Sequence, residues 1–225
     1  MVKIIPAILR PNLREFQEDF DKVKGLVGRV QVDVIDGVFA DNKTVNPEDL
    51  EVIDTVVEWD WHLMVDRPEK WVKRCVRGGT GRVFAHIERM NDVAGYIAET
   101  QVAGMGVGLA LDLETDVDRL EEYVYDLDAV LLMSVKAGFQ GQEFDERVLS
   151  KIASVRKMRS DIPIVVDGGL GVSEIKRCVA AEWAEQIREE ELDRNFLDME
   201  FAVGGELLRA EDVTAKLEQL RNLEE

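Results

Sequence analysis

The stretch Lys3–Asn12, KIIPAILRPN, separates the two architectures that the pattern of this chain allows. Its apolar run KIIPAIL (3 to 9) reads as a strand, and the residues after it are Arg10, Pro11 and Asn12. A doubly wound open sheet would carry a G-x-G-x-x-G turn there, opening the first helix onto a dinucleotide. Those glycines are missing, which favours a closed barrel. Seven more β-rich segments follow: RVQVDVI (29 to 35), WDWHLMV (59 to 65), RVFAHIE (82 to 88), GVGLAL (106 to 111), AVLLMSV (129 to 135), IPIVVDG (162 to 168) and FAVGG (201 to 205). Several are nearly continuous apolar runs, as expected of parallel strands covered on both faces. Stretches of helical period lie between them. Asn12 is placed to cap the first, with Leu13, Phe16, Phe20 and Val23 along one face. Pro47 and Pro68 suit the first turns of the next two, and Phe144, Val148, Ile152 and Val155 form a later stripe. This alternation predicts an α/β fold, a (β/α)8 TIM barrel, with residues 1–225 as a single domain.

A chain of 225 residues with 46% hydrophobic content is long enough for one sizeable core. Lysine and arginine number 28 against 46 aspartates and glutamates, a net charge of −18 that repels nucleic acid and anionic membranes. Neither is expected as a partner, and an anionic small substrate would need a local site to overcome the global field. The two cysteines, Cys75 and Cys178, fall inside helical patterns without metal-ligand spacing, which fits a reducing compartment. The N-terminal MVKIIPAIL is too short in its apolar part to be a signal peptide. No run approaches the roughly 18 apolar residues of a membrane span. A soluble, cytoplasmic protein is expected.

In a barrel of this kind chemistry sits at the C-terminal ends of the strands. Asp33, His62 and Asp167 stand there, and two carboxylates with an imidazole suit either a divalent metal site or an acid/base pair. The alternative is that each is separately satisfied, Asp33 and Asp167 by backbone amides or a lysine and His62 as a core histidine. The strand period of two puts Gln31, Asp33 and Ile35 on one face, with Asp36 on the other or opening the loop. His86, with Glu88, is a candidate for lining the same mouth, and Met64 and Met133 for forming a soft wall beside a planar intermediate. Glycine-containing loops follow the late strands: Gly138, Phe139, Gln140 and Gly141 after strand six, Gly168 and Gly169 after strand seven, Gly204 and Gly205 at strand eight. Their unobstructed amides predict a phosphate site.

Taken in order, IIPAIL, VQVDVIDGVF, WHLMVDRPEKWV, FAHIE, VGLAL, LLMSVKAGFQGQEF, IVVDGG and AVGG resemble the ribulose-phosphate 3-epimerase family over nearly the whole chain. The resemblance implies an isomerase acting on a ketose phosphate, D-ribulose 5-phosphate or D-xylulose 5-phosphate. It implies one divalent metal ion (Zn, Fe, Mn or Mg), Asp33 and Asp167 as acid/base groups and ligands, His62 as a further ligand, and phosphate held by the late loops. Where the family usually has a histidine ligand this chain has Gln31, a neutral amide whose oxygen is a weaker and harder donor. Ala7 stands in place of a serine near the substrate. Ile35 and Val38 replace a methionine and a histidine, and Lys136, Ala137 and Gln140 replace an asparagine, a proline and a glycine. The segment AEWAEQIREEELDRNFLDME (181 to 200) predicts an extended acidic helix between strands seven and eight. A homo-oligomer is expected, with Trp183, Ile187 and Phe196 as its candidate contacts. Two other functions compete. Related aldolases and decarboxylases resemble one another in a D-x-K-x-x-D motif, for which Asp33-Val34-Ile35-Asp36 supplies no lysine. A sugar-phosphate-binding homologue with weakened catalysis is the third.

Overall fold

A computed structural model describes residues 2–186 and 199–224. Among them eight parallel strands close into a barrel in chain order: β1 Lys3–Ile8, β2 Arg29–Ile35, β3 Glu58–Met64, β4 Gly81–His86, β5 Gly106–Leu111, β6 Ala129–Met133, β7 Ile164–Asp167 and β8 Met199–Val203. The expected (β/α)8 architecture is therefore present, with β1 pairing with both β2 and β8. Alternation along each strand builds two apolar layers. On β2, Val30, Val32 and Val34 pack outward in one core with Phe16 and Phe20 of the first helix. Ile35 joins Ala7, Met64, Phe84, Leu131, Met133, Val165 and Ala202 in the barrel interior. Phe84 fills that interior because β5 offers Gly108 opposite it, where a Cβ would lie 2.3 Å from the ring.

Below this layer an ion network floors the barrel. The Arg82 guanidinium donates to Asp60 at 2.9 and 2.5 Å and to Glu200 at 2.5 Å. Arg29 and Lys3 approach the same acids at 3.5 and 3.6 Å. Glu200 corrects the expected start of strand eight. Its charge makes MEFAV look like the end of a surface helix, yet β8 begins at Met199 because Arg82 supplies the partner that allows a carboxylate to be buried there.

The crossovers are less uniform than their periodicity suggests. α1 runs Leu13–Val23, capped by Asn12 Oδ1 accepting from the Glu15 amide at 3.0 Å, and buries Phe16, Phe20 and Val23. Pro47 and Pro68 open 3-10 turns, Pro47–Val52 and Pro68–Lys70, the second leading into α2 Val72–Gly78. α3 is Val93–Val102, and the crossing from β5 to β6 uses two further 3-10 turns, Val117–Leu120 and Val124–Asp126. α4, Arg147–Met158, buries Val148, Ile152 and Val155, whereas Phe144 precedes the helix and lies under the Arg177 guanidinium. α5, Val172–Gln186, carries the start of the acidic extension, and Glu182 in it is buried against Arg156 at 2.7 Å rather than solvated. The rest of that extension, with Ile187 and Phe196, lies outside the described residues. α6 Gly205–Leu208 and α7 Val213–Asn222 complete the chain. No described helix is long and apolar enough to cross a membrane.

Candidate active site

The end of β2 is fixed on both faces. Thr44 Oγ1 accepts from the Ile35 amide at 2.8 Å and donates to the Asp33 carbonyl at 2.6 Å. Asp36 turns outward and takes three backbone amides, those of Val38, Phe39 and Asp66, at 2.7 to 2.9 Å. Burial works against its charge, yet these amides hold the carboxyl below its usual range. Asp36 is thus a loop anchor, and it leaves Asp33 as the strand's inward acid.

Strand register then assembles the site. Asp33 pairs with His62 across β2 and β3, and Met133 with Asp167 across β6 and β7. His62 Nδ1 lies 3.0 Å from Asp33 Oδ1 and 3.3 Å from Asp167 Oδ2. Gln31, fully buried one step below Asp33, sends its amide nitrogen between the same acids, donating to Asp33 Oδ1 at 2.8 Å and Asp167 Oδ2 at 2.6 Å. Asp33 Oδ2 and Asp167 Oδ1 accept no hydrogen bond among the described residues, and both acids line the cleft above.

Behind His62 the hydrogen bonding continues. Its Nε2 meets His86 Nε2 at 3.0 Å, and His86 Nδ1 meets Glu88 Oε2 at 3.1 Å. Glu88, lowered to about 2 by its contact with His86 despite burial, is a carboxylate and accepts. His86 therefore carries its proton on Nδ1 and receives one from His62 Nε2, which leaves His62 Nδ1 facing the acids. His86, expected at the mouth, thus sits one layer back, fully buried, with Phe39 across its ring at 4.8 Å.

Burial alone would depress His62, but hydrogen bonds and charge from Asp167 and Asp33 push it up to about 9. Burial, and then the nearby Asp167, push the Asp33 carboxyl up. Because the folded value for His62 exceeds the ordinary 6.5, the stability it contributes is fully present below pH 6.5 and is lost as pH rises through about 9. Urea melts of chelator-treated protein are expected to give falling stability across that window. A flat profile, or one that rises, would contradict the pairing.

Asp33, His62 and Asp167 present ligand atoms within 4.8 Å of one another, a spacing and donor set that suit a divalent ion. Gln31 Oε1 adds a buried oxygen with no hydrogen-bond partner among the described residues, an acceptor of the kind a cation satisfies.

The cleft over these groups has a volume of about 950 Å³. Ala7, Met64, Met133, Gly138, Phe139, Gln140, Gly141, Gly168, Gly169, Gly204 and Gly205 all line it, so the late-strand glycines open onto one cleft. Gly169, at φ +59, brings the cleft lining close to the neighbouring loop, since a Cβ there would lie 2.6 Å from the Phe144 nitrogen. Asn42 ties the loop after β2 to the loop after β6 by donating to the Gly138 carbonyl at 2.9 Å. Sequence reading missed two cations in this cleft, Arg209 and Lys216. Lys216 is paired with Glu206, while Arg209 is exposed and has no ion pair among the described residues. Their signal was available, since Arg209 is the first cation after 204-GG-205.

A closed parallel barrel with a carboxylate, an imidazole and a carboxylate gathered at its C-terminal mouth is a TIM barrel with a candidate site where enzymes of this fold hold theirs. A family model described as the Ribulose-phosphate 3 epimerase family matches residues 3–187, and the chain belongs to that family. Ribulose-phosphate 3-epimerase of Bacillus subtilis (strain 168) is 33% identical over 178 residues, covering 76% of this chain and 82% of that protein. Among solved structures, orotidine 5'-monophosphate decarboxylase from Methanocaldococcus jannaschii, complexed with the inhibitor BMP, superposes with a TM-score of 0.66. It is 14% identical and covers 99% of this chain and 98% of that one. A 3-hexulose-6-phosphate synthase gives a TM-score of 0.63 at 18% identity, with 99% of each chain covered. At these identities the two structures share the fold alone with this chain.

Proposed function

We propose that this chain is a ribulose-phosphate 3-epimerase that interconverts D-ribulose 5-phosphate and D-xylulose 5-phosphate through Asp33 and Asp167. The observation that carries the reading is the disposition of the two carboxylates. Each commits one oxygen to the Gln31 amide and the His62 side, and each leaves the other without a protein partner at the cleft. Two acids on separate strands, β2 and β7, can address opposite faces of a planar intermediate. One removes the proton on C3, beside the ketone, to give an enediolate, and the other returns a proton from the opposite side. Burial raises the Asp33 carboxyl above its ordinary range, which favours its holding and returning a proton. Met64 and Met133 supply apolar walls that exclude water from the intermediate. Asp33, His62 and Asp167, with Gln31, would hold a divalent ion, which when bound supplies positive charge that lowers the cost of the enediolate. The aldolase and decarboxylase alternative lacks its lysine: counted from Asp33, the D-x-K-x-x-D spacing puts the lysine at Ile35, which lies in the barrel interior, and the second aspartate at Val38.

The phosphate belongs in the part of the cleft lined by Gly168, Gly169, Gly204 and Gly205, a cleft that Gly138, Gly141 and Arg209 also line. In a chain of net charge −18 an exposed cation there matters for anion capture. Arg209→Ala is expected to raise KM for the sugar phosphate about tenfold, with kcat nearly unchanged, as for uniform binding lost at a remote group. Steady-state kinetics check this, and an unchanged KM would place the phosphate elsewhere. The function itself is tested by NMR of D-ribulose 5-phosphate incubated with purified protein, both metal-loaded and chelated. Appearance of D-xylulose 5-phosphate in the loaded sample is expected, and its absence from both samples would sink the assignment.

A further inference from the structure

The Gln31 nitrogen sits within 2.8 Å of Asp33 Oδ1, 2.6 Å of Asp167 Oδ2 and 3.4 Å of His62 Nδ1, among the same three atoms that would ligate a cation. An amide N–H cannot share that position with a cation, because both offer positive charge to the same acceptors. At its other end Oε1 is buried without a partner among the described residues. A carboxamide is nearly symmetric in shape, so turning it over about its last torsion exchanges nitrogen for oxygen with little displacement. Its outer end lacks a protein acceptor or donor in the orientation described, so the group occupying the acid triad decides which way the amide points. Two carboxylates favour the nitrogen, and a cation favours the oxygen.

We propose that Gln31 is a reversible seat-holder for the metal: its NH2 bridges Asp33 and Asp167 until a divalent cation enters, whereupon the amide turns over and Oε1 becomes the fourth ligand. The inference rests on the cation assigned under the proposed function, but it concerns this chain's glutamine. It makes occupancy conditional, because each binding event must first break two buried hydrogen bonds that hold the acids together. It also preserves the active site between occupancies, since the bridge keeps two buried carboxylates from repelling each other.

The test reads binding and amide orientation instead of turnover. In the ¹⁵N spectrum of chelated protein, the Gln31 side-chain amide, assigned by its loss in Gln31→Met, is expected to have low-field, exchange-protected protons. Zinc addition is expected to shift that pair upfield and remove the protection. Zinc affinity measured by calorimetry is expected to fall about tenfold in Gln31→Met, which loses the oxygen, and to rise at least tenfold in Gln31→Glu, which can only present oxygen. Tighter zinc binding by Gln31→Met would mean that the amide only blocks the seat, and the proposal would be wrong. If these variants do not fold, the native spectrum, with the Gln31 amide assigned by through-bond correlation to its own side chain and backbone, decides alone, and unchanged Gln31 resonances on zinc addition would overturn the turnover. A native chain that binds no zinc yet epimerises sugar phosphate would also overturn it while leaving the epimerase assignment intact.

Discussion

Asp33→Asn and Asp167→Asn are each expected to lower interconversion of the two ketose phosphates by about 10³-fold or more, the scale of losing a positioned acid or base. Asparagine keeps a side-chain oxygen in place but cannot accept and return a proton. It also leaves the strand register of β2 against β3 and of β6 against β7 untouched, so the fold should persist. The two variants should differ in one respect. The surviving carboxylate still faces one side of the substrate, so each variant retains deuterium exchange at C3 of a single epimer, a different one in each case. Coupled kinetics and NMR on both epimers check this. Residual interconversion near the native rate in either variant would remove that aspartate from the mechanism.

Arg82→Met is expected to cost stability on the scale of breaking a buried ion pair, about 3–5 kcal/mol, and to lower Tm by on the order of 10 °C. Arg82 is the shared partner of Asp60 and Glu200, both nearly inaccessible, so its removal leaves the two carboxylates at the barrel floor with only the longer contacts to Arg29 and Lys3. Burial already pushes the Asp60 carboxyl up, and Arg82 is the largest opposing influence. The triple variant Arg82→Met, Asp60→Leu, Glu200→Leu is expected to recover most of the loss, because an apolar floor leaves no unpaired charge. Thermal and urea melts separate the two. If the single variant melts like the native chain, the network is not what closes the floor.

Much of the barrel was readable because its strands are covered on both faces and so appear as apolar runs. RVQVDVI and GVGLAL coincide with β2 and β5 to the residue. Reading failed where a tertiary partner, invisible in a local window, changes the meaning of a charge. Glu200 and Glu182 look solvated in sequence and are buried by Arg82 and Arg156, which lie far away in the chain. Periodicity also overstated the crossovers, since a proline and an apolar stripe fit a 3-10 turn as well as an α-helix. At the mouth, the placement of Asp33, His62 and Asp167 at strand ends picked out three side chains that the fold brings together, and the strand period placed Gln31 beside them. What no pattern could supply was direction. The Gln31 nitrogen points into the acids, and His86 stands behind His62, because side-chain orientation follows from neighbours on other strands.

The central claim, that Asp33 and Asp167 work on opposite faces, is tested most directly by isotope partition in deuterated water. D-Ribulose 5-phosphate is mixed with metal-loaded native protein, and the reaction is stopped at low conversion. Two separate acids predict product D-xylulose 5-phosphate carrying solvent deuterium at C3, with the recovered substrate still carrying hydrogen. Equal deuterium in both epimers from the earliest times, or product that keeps the original hydrogen, would contradict the account.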